Sequence, residues 1–596
     1  MKQVHYTFSV LNHRAHFIDV TITITNPESS QLVQLPVWTP GSYLVREYAR
    51  HVRDVYAQQS GIPCVVQKID KRTWQIAANG DTVLEVHYRV YAYELSVRTN
   101  HVDDSHAFFN PAAVCMQVVG AHEPLDVTVI VPHGWHVATQ LLQRDAVVPN
   151  LSGDKWSFVA PDYDALVDAP FECGTHRYYT FYVERIPHHI AIWGHGNEHI
   201  ATLLIDIERS VRAVMAHFAH VPYQQYLFIL HLADGAYGGL EHAASTVCLC
   251  DKWGFGKQRD YERILGLITH EFYHTWNVKY IRPAPLGPFD YGQENYTRQL
   301  WLVEGVTSYY DNLIMCRAGM ITPQRYLELL ADDIATVQRM PGRHVQSLAE
   351  ASFDAWIRFY RPDENSPNVS ISYYIKGALV VFALDMLIRQ VTNGTHSFDD
   401  VMRYLEAHYP WQNPGIPEGD TMQQIIATVI GGHRENIDTF FADYIYGTQE
   451  LDYASICATV GLYPHWHNGD DPVTSLGVVV RQEGGRLVIA TVSPEGPAYR
   501  AGISPFDELV ALNGVRVDQY RLKARLNELQ VGSDVVVTYF RRDELRQQTI
   551  QVIETPLQHV SLLPLMHQTD AQLQGYQQWI HMPQSRGKSD GNNIVG

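Results

Sequence analysis

The sequence predicts a multidomain α+β protein: a β-rich first part, a mainly helical middle and a return to short strands near the end. Three observations predict it. Apolar Leu84, Val86, Tyr88, Val90 and Ala92 alternate with Glu85, His87, Arg89 and Tyr91, the period of a strand with one face buried. Ile264, Leu265, Leu267, Ile268 and Phe272 recur instead at helical spacing. After Gly469, short apolar runs separated by turn residues resume.

Composition narrows the class. At 596 residues the chain has room for roughly three or four domains. Hydrophobic residues make up 46% and charged residues 18%, the balance of a protein with substantial cores. A formal charge of −19, without a long Lys/Arg run, argues against a nucleic-acid partner. Met1 to Tyr6 lacks the apolar run of a signal peptide. The longest apolar stretch, Ala378 to Ile388, is too short to span a bilayer and contains Asp385. Seven scattered cysteines read as reduced thiols, not a disulfide framework. The expected setting is cytoplasmic, with no membrane partner.

Residues 1–175 form the expected β-rich domain, a sandwich or open barrel. Val20, Ile22 and Ile24 repeat the strand alternation, and Leu125 to Val131 is a further strand. Asn26-Pro27-Glu28-Ser29-Ser30 and Thr39-Pro40-Gly41-Ser42 read as turns. No catalytic constellation stands out here, and Asp162, Asp164 and Asp168 read as loop residues.

Residues 176–460 read as a helical domain entered through a short β portion, Ile190 to Trp193 and Tyr226 to Leu230. Thr322-Pro323 fits a capped helix start. Ser397-x-x-Asp400 and Thr421-x-x-Gln424 have capping-box spacing. Within this domain lies His270-Glu271-Phe272-Tyr273-His274. On a helix, residues four apart share a face, so both imidazoles can reach one metal ion. Glu271 then faces a metal-held water, where a general base is wanted. The triplet alone is modest support, because a chain with 30 histidines produces it by chance in roughly one shuffled sequence of ten.

Its surroundings strengthen it. Glu304 lies in Leu300 to Tyr310, another apolar helical run, where a carboxylate is costly unless it meets a cation. Catalytic zinc takes three protein ligands and keeps its fourth position open. The expected ligands are therefore His270, His274 and Glu304, holding one Zn2+ per chain with water in the fourth place. Bound zinc acidifies that water and polarises a carbonyl. Gly238 and Gly239 let backbone approach a ligand closely, and Glu241 offers a carboxylate to an ammonium group. Tyr373-Tyr374 supplies a phenol able to donate to an oxyanion.

From residue 461 to about 560, Leu476-Gly477-Val478-Val479-Val480, Ser493 to Gly502 and Asp507 to Gly514 follow in the order and spacing of a PDZ domain, which they resemble. That resemblance implies a loop, Leu476, Gly477 and Val478, offering N–H groups to a peptide's terminal carboxylate while the peptide adds a strand. Phe506 stands where the family has glycine. In the remaining segment, 561–596, Asp570 to Ile580 reads as an amphipathic helix with Leu573, Tyr576, Trp579 and Ile580 as its apolar face. Pro583 to Gly596 reads as a disordered tail.

Taken together, Gly238-x-x-Glu241-His242, His270-Glu271-x-x-His274-x-Trp276-Asn277, Trp301-Leu302-x-Glu304-Gly305 and Tyr374-x-Lys376-Gly377, followed by the PDZ-like unit, resemble the PDZ-containing glycyl aminopeptidases. These are gluzincin zinc peptidases related to aminopeptidase N. Trp38-Thr39-Pro40-Gly41-Ser42-Tyr43 and Asn277-Val278-Lys279-x-Ile281-Arg282-Pro283 extend the likeness over nearly the whole chain. The resemblance implies a thermolysin-like catalytic domain acting on peptides with a free N-terminus and releasing glycine or alanine. It implies that Glu241 holds the α-amino group and that Tyr374 stabilises the tetrahedral intermediate. The chain departs from the pattern at Tyr280, where a basic residue is expected, and at Ser308, where thermolysin-like enzymes carry an aspartate behind a ligand histidine. The carboxylate behind the ligand histidine is therefore unidentified; Asp311 is one candidate, though it reads more readily as a solvated helix residue. An endopeptidase with a PDZ domain recruiting substrate C-termini, and a PDZ-based scaffold, are the alternative functions.

Overall fold

The computed structural model describes residues 2–80, 82–121, 124–150 and 153–581. The expected tail Pro583 to Gly596 lies outside the described residues.

The N-terminal part is a layered β domain around one core. Val4–Ser9 lies within a nine-stranded sheet, antiparallel to Phe17–Ile24 and parallel to Leu125–Val131. Its alternating Val4, Tyr6 and Phe8 point inward with Val20, Ile22 and Val86. Two four-stranded sheets supply the opposing residues, among them Val33, Trp74, Phe109 and Phe171. Strand alternation thus becomes a two-sided apolar layer, the main source of stability in such a domain.

The helical domain opens with a five-stranded sheet in the order Arg177–Val183, Ile186–Trp193, Tyr226–Ala233, Ser245–Asp251, Tyr237–Glu241. The Tyr237–Glu241 strand is therefore an edge. Helices Ile200–His217 and Gln258–Tyr273 pack against this sheet, and Ser210 and Thr269 share a hydrogen bond of 2.7 Å between them. Thr322 caps Pro323–Gln338, its hydroxyl accepting from the Arg325 N–H. The Asp400 carboxylate accepts from the Ser397 N–H at the start of Phe398–His408. At Thr421 the cap is shifted: Asp420 is the N-cap and Thr421 the first helical residue, so the reading of Thr421 as a capping box is corrected. Arg389 pairs with Asp385 inside the apolar helix Ile375–Val391, which makes that carboxylate tolerable in a core.

The end of the chain differs from the expected division into a 461–560 PDZ domain and a 561–596 appendix. Leu462–His467 pairs antiparallel with His559–Pro564, and both lie outside the PDZ sheet. Leu462, Val560, Leu562, Trp579 and Ile580 all belong to the core of the helical domain. Trp579 donates from Nε1 to the Tyr309 hydroxyl at 2.9 Å, and Arg317 Nε donates to its carbonyl at 3.0 Å. The PDZ unit is thus inserted into the helical domain, which closes only after it. On the helix Asp570–Ile580, Leu573 is 45% exposed, so the buried face is Trp579 and Ile580, with Tyr576 packed at its margin.

Candidate active site

Helix Gln258–Tyr273 carries His270 on its last turn, and His274 is its C-cap. Their Nε2 atoms lie 3.1 Å apart. Glu304 sits in a π-helical turn, Trp301–Gly305, that runs into helix Val306–Arg317. Its Oε2 is 3.1 Å from His274 Nε2 and 3.5 Å from His270 Nε2. A tetrahedral metal with bonds near 2.1 Å sets its donors roughly 3.4 Å apart, so three such atoms fit one small cation.

The outer partners fix which nitrogens face the cation. His274 Nδ1 donates to the Asn277 carbonyl at 2.6 Å, leaving a lone pair on Nε2. His270 Nδ1 lies 3.1 Å from Asp311 Oδ2. Two imidazole nitrogens and a carboxylate oxygen therefore converge in a buried place, an arrangement that suits a small cation. Burial alone would raise the Glu304 carboxyl, but the two imidazoles override it and hold it low. The reading of Asp311 as solvated is corrected. Its side chain is 14% exposed, and it stands on the face of Glu304 about two turns on. The Asn277 amide ties the two ligand-bearing elements together by donating to Leu302 O, Val303 O and Thr307 Oγ1.

The other motif residues border the same cleft, a cavity of about 820 Å³. Glu271 is buried, and burial raises its carboxyl to about 7. Gly239 faces it so closely that a Cβ there would overlap Glu271 Oε1. The side chain of Glu241, 4% exposed at the end of the edge strand, accepts no hydrogen bond among the described residues and lies within 4 Å of no described cationic side chain, although its charge acts on the buried Lys279 and Arg98. Oxygens of Glu241 and Glu271 and a nitrogen of His274 all lie within 4.8 Å of one another. Tyr374 is the N-cap of helix Ile375–Val391, its ring centre 6.2 Å from that of His270. Burial, and next the Glu304 charge, raise its phenol well above the ordinary value, so it stays a hydrogen-bond donor at neutral pH.

Residues from the β-rich domain also reach the cleft, although no catalytic constellation stands out in that segment's sequence. Gly41 lines it, and Arg98 donates from Nη2 to the Gly239 carbonyl at 3.2 Å. Asp168 is no simple loop residue either. It accepts from the Ala243 N–H and from Lys279 Nζ, pinning the segment after Glu241 to the segment after His274. The cation of that region is thus Lys279, one position before Tyr280.

A second group, His106, Glu172 and His231, is fully buried where the β-rich domain meets the five-stranded sheet. Glu172 takes His106 Nδ1 at 3.0 Å and His231 Nε2 at 2.8 Å. His231 Nδ1 has no partner, unlike the outer nitrogens of His270 and His274. The group is read as a hydrogen-bonded clamp between domains.

Sequence profiles match three stretches of the chain. A profile of the Peptidase M61 N-terminal domain matches residues 5–175 and one of the M61 glycyl aminopeptidase matches residues 263–380, the stretch that holds the converging ligands and Tyr374. The chain belongs to the M61 glycyl aminopeptidase family. This M61 chain is a peptidase, and a PDZ profile matches its residues 474–552. Among solved structures it resembles an aminopeptidase N family protein from Idiomarina loihiensis at 28% identity and a TM-score of 0.90. That alignment covers 97% of this chain and 100% of the other. An M1 zinc metallopeptidase from Deinococcus radiodurans aligns at 15% identity over 76% of this chain and 94% of its own, with a TM-score of 0.47. No curated protein sequence matches. No described helix of the M61 chain is long and apolar enough to cross a membrane.

In its PDZ unit, Leu476, Gly477 and Val478 lead into the sheet-edge strand Val478–Glu483. The Gly477 N–H donates to Ser475 Oγ at 3.0 Å. Phe506 has a φ of 70°, which accounts for the glycine usual there.

Proposed function

We propose that this M61 chain is a zinc aminopeptidase that releases small N-terminal residues, glycine and alanine first, from peptides. One observation carries the reading: a buried carboxylate without a direct hydrogen bond or ion pair, Glu241, has an oxygen within 4.8 Å of an oxygen of the proposed base and a nitrogen of a proposed metal ligand. The α-nitrogen and carbonyl carbon of one residue are about 2.5 Å apart. An ammonium held at Glu241 therefore leaves space for only the first peptide bond beside the cluster. A buried, unpaired carboxylate is costly until a cation arrives, which favours the charged amine over a neutral blocked one.

His270, His274 and Glu304 would hold the zinc, which supplies a Lewis acid for the carbonyl and lowers the pKa of water. Glu271 takes a proton from the attacking water as its oxygen bonds to the carbonyl carbon. When the C–N bond breaks, the same carboxyl returns that proton to the departing amine. Tyr374 donates to the oxygen on which negative charge develops. The glycyl designation of the family supports the small-residue preference.

Glycyl and alanyl anilides assayed beside their N-acetylated forms test this. The acetylated substrates should be inert, and Glu241→Ala should harm free-amine substrates selectively. Cleavage of internal bonds in blocked peptides would establish an endopeptidase instead. Absence of stoichiometric zinc in the purified protein would favour a scaffold.

A further inference from the structure

Behind Glu241 stands a turn from the other domain. Trp38, fully buried, donates from Nε1 to the Asp290 carbonyl at 2.8 Å and packs edge-on against Trp356 with ring centres 5.2 Å apart. Thr39 and Ser42 form a bridge, the Ser42 N–H donating to Thr39 O at 3.1 Å. Arg46 holds Ser42 Oγ at 2.8 Å, and Asn110 donates to Thr39 Oγ1 at 3.3 Å. The turn is therefore tied to the body of its own domain and to the helical domain. At its tip Gly41 has a φ of 84°. A Cβ on Gly41 would lie 2.5 Å from Glu241 Oε1 and 2.6 Å from Oε2.

The contact leaves no gap between the Gly41 backbone and the carboxylate. A group attached to a substrate's α-nitrogen on that side would have to occupy the place of Gly41 itself. We infer that the Thr39–Tyr43 turn of the N-terminal domain is the end wall of the catalytic cleft, and that Gly41 is a positioning residue setting Glu241 where only an unsubstituted amine fits. This rests on the reading of Glu241 as the ammonium anchor. A side chain at residue 41 displaces the flexible carboxylate before it displaces backbone, so the protein should fold while the anchor moves. A shift of about 1 Å in such a contact is enough to weaken binding severely.

The test is kinetic, on the zinc-loaded full chain. Gly41→Ala should raise KM for glycyl anilide at least tenfold, with kcat within about threefold and zinc content unchanged. Gly61→Ala is the control for backbone strain, since Gly61 has a φ of 77° and nothing within 4 Å of its Cβ position; its kinetics should match the wild type. An unchanged KM in Gly41→Ala would overturn the inference. On the unmodified enzyme, N-methylglycyl anilide remains cationic but should be cleaved at least tenfold less efficiently than glycyl anilide, and equal efficiency would overturn the wall. If instead Glu241→Ala affects blocked and free peptides alike, it is the anchor reading that fails.

Discussion

Gly305 and Gly377 touch through their backbones: a Cβ on Gly305 would lie 2.7 Å from the Gly377 Cα, and one on Gly377 would lie 2.9 Å from the Gly305 Cα. This contact lets the π-helical turn bearing Glu304 lie directly on the helix that begins after Tyr374. The proposed metal ligand and the proposed oxyanion donor are thereby fixed relative to each other. Gly377→Ala should push the two elements apart, costing about 1–3 kcal/mol in denaturant unfolding. It should also weaken zinc retention, read by chelator competition, and wild-type retention would contradict the coupling.

Glu271→Gln keeps the shape of the cleft and removes the base. Turnover should fall by roughly 10²–10⁴ while metal analysis still finds one zinc. Unchanged kcat would remove Glu271 from the mechanism.

Asp311, 3.1 Å from His270 Nδ1, stands where it would orient that imidazole toward the proposed zinc. Asp311→Ala should lower zinc affinity about 10–100-fold, as loss of such outer partners does. Competition with a calibrated chelator measures it, and activity should recover at higher free zinc.

Acid should loosen the seam between the first two domains. Burial would raise the Glu172 carboxyl, but His106 and His231 override it and hold it below the usual carboxylate range. Burial lowers His231 below its ordinary 6.5. Both groups bind protons more readily when unfolded, so their stabilisation is present above the unfolded values and is lost as pH falls. The loss should begin below about 6.5 and steepen below about 4.5, the ordinary values of the two groups. Glu172→Gln should flatten that dependence of Tm on pH; a parallel curve would count against the clamp.

Trp579→Ala should destabilise the helical domain by about 3–5 kcal/mol, the usual cost of emptying a large buried site. Denaturant unfolding followed by tryptophan-independent circular dichroism would show it. A negligible change would mean the final helix is dispensable.

The candidate metal cluster was legible because helical spacing is local: His270 and His274 lie one turn apart, and Glu304 stood out as a carboxylate in an apolar run. Asp311 was harder, because its reason lies across a helix interface and nothing in its immediate neighbours marks it as enclosed. Gly41 was visible as a turn residue within a family-like stretch but not as a wall of the site, since its contact with Glu241 joins positions on two domains. The insertion of the PDZ unit escaped for a similar reason. Leu462–His467 finds its partner strand only after the whole unit has intervened, and neither strand alternates cleanly enough to announce the other.

Because the strands flanking the PDZ unit are hydrogen-bonded neighbours, the polypeptide leaves and rejoins the catalytic body at almost the same spot. Thr474–Ser475 pairing with Ile553–Glu554 tightens that neck further. A short hairpin could bridge the gap with little loss of chain entropy, the Asn368 Nδ2 bond to the Val492 carbonyl being the buried contact that would be given up. Its removal or replacement would leave the final helix free to dock and the peptidase body able to close.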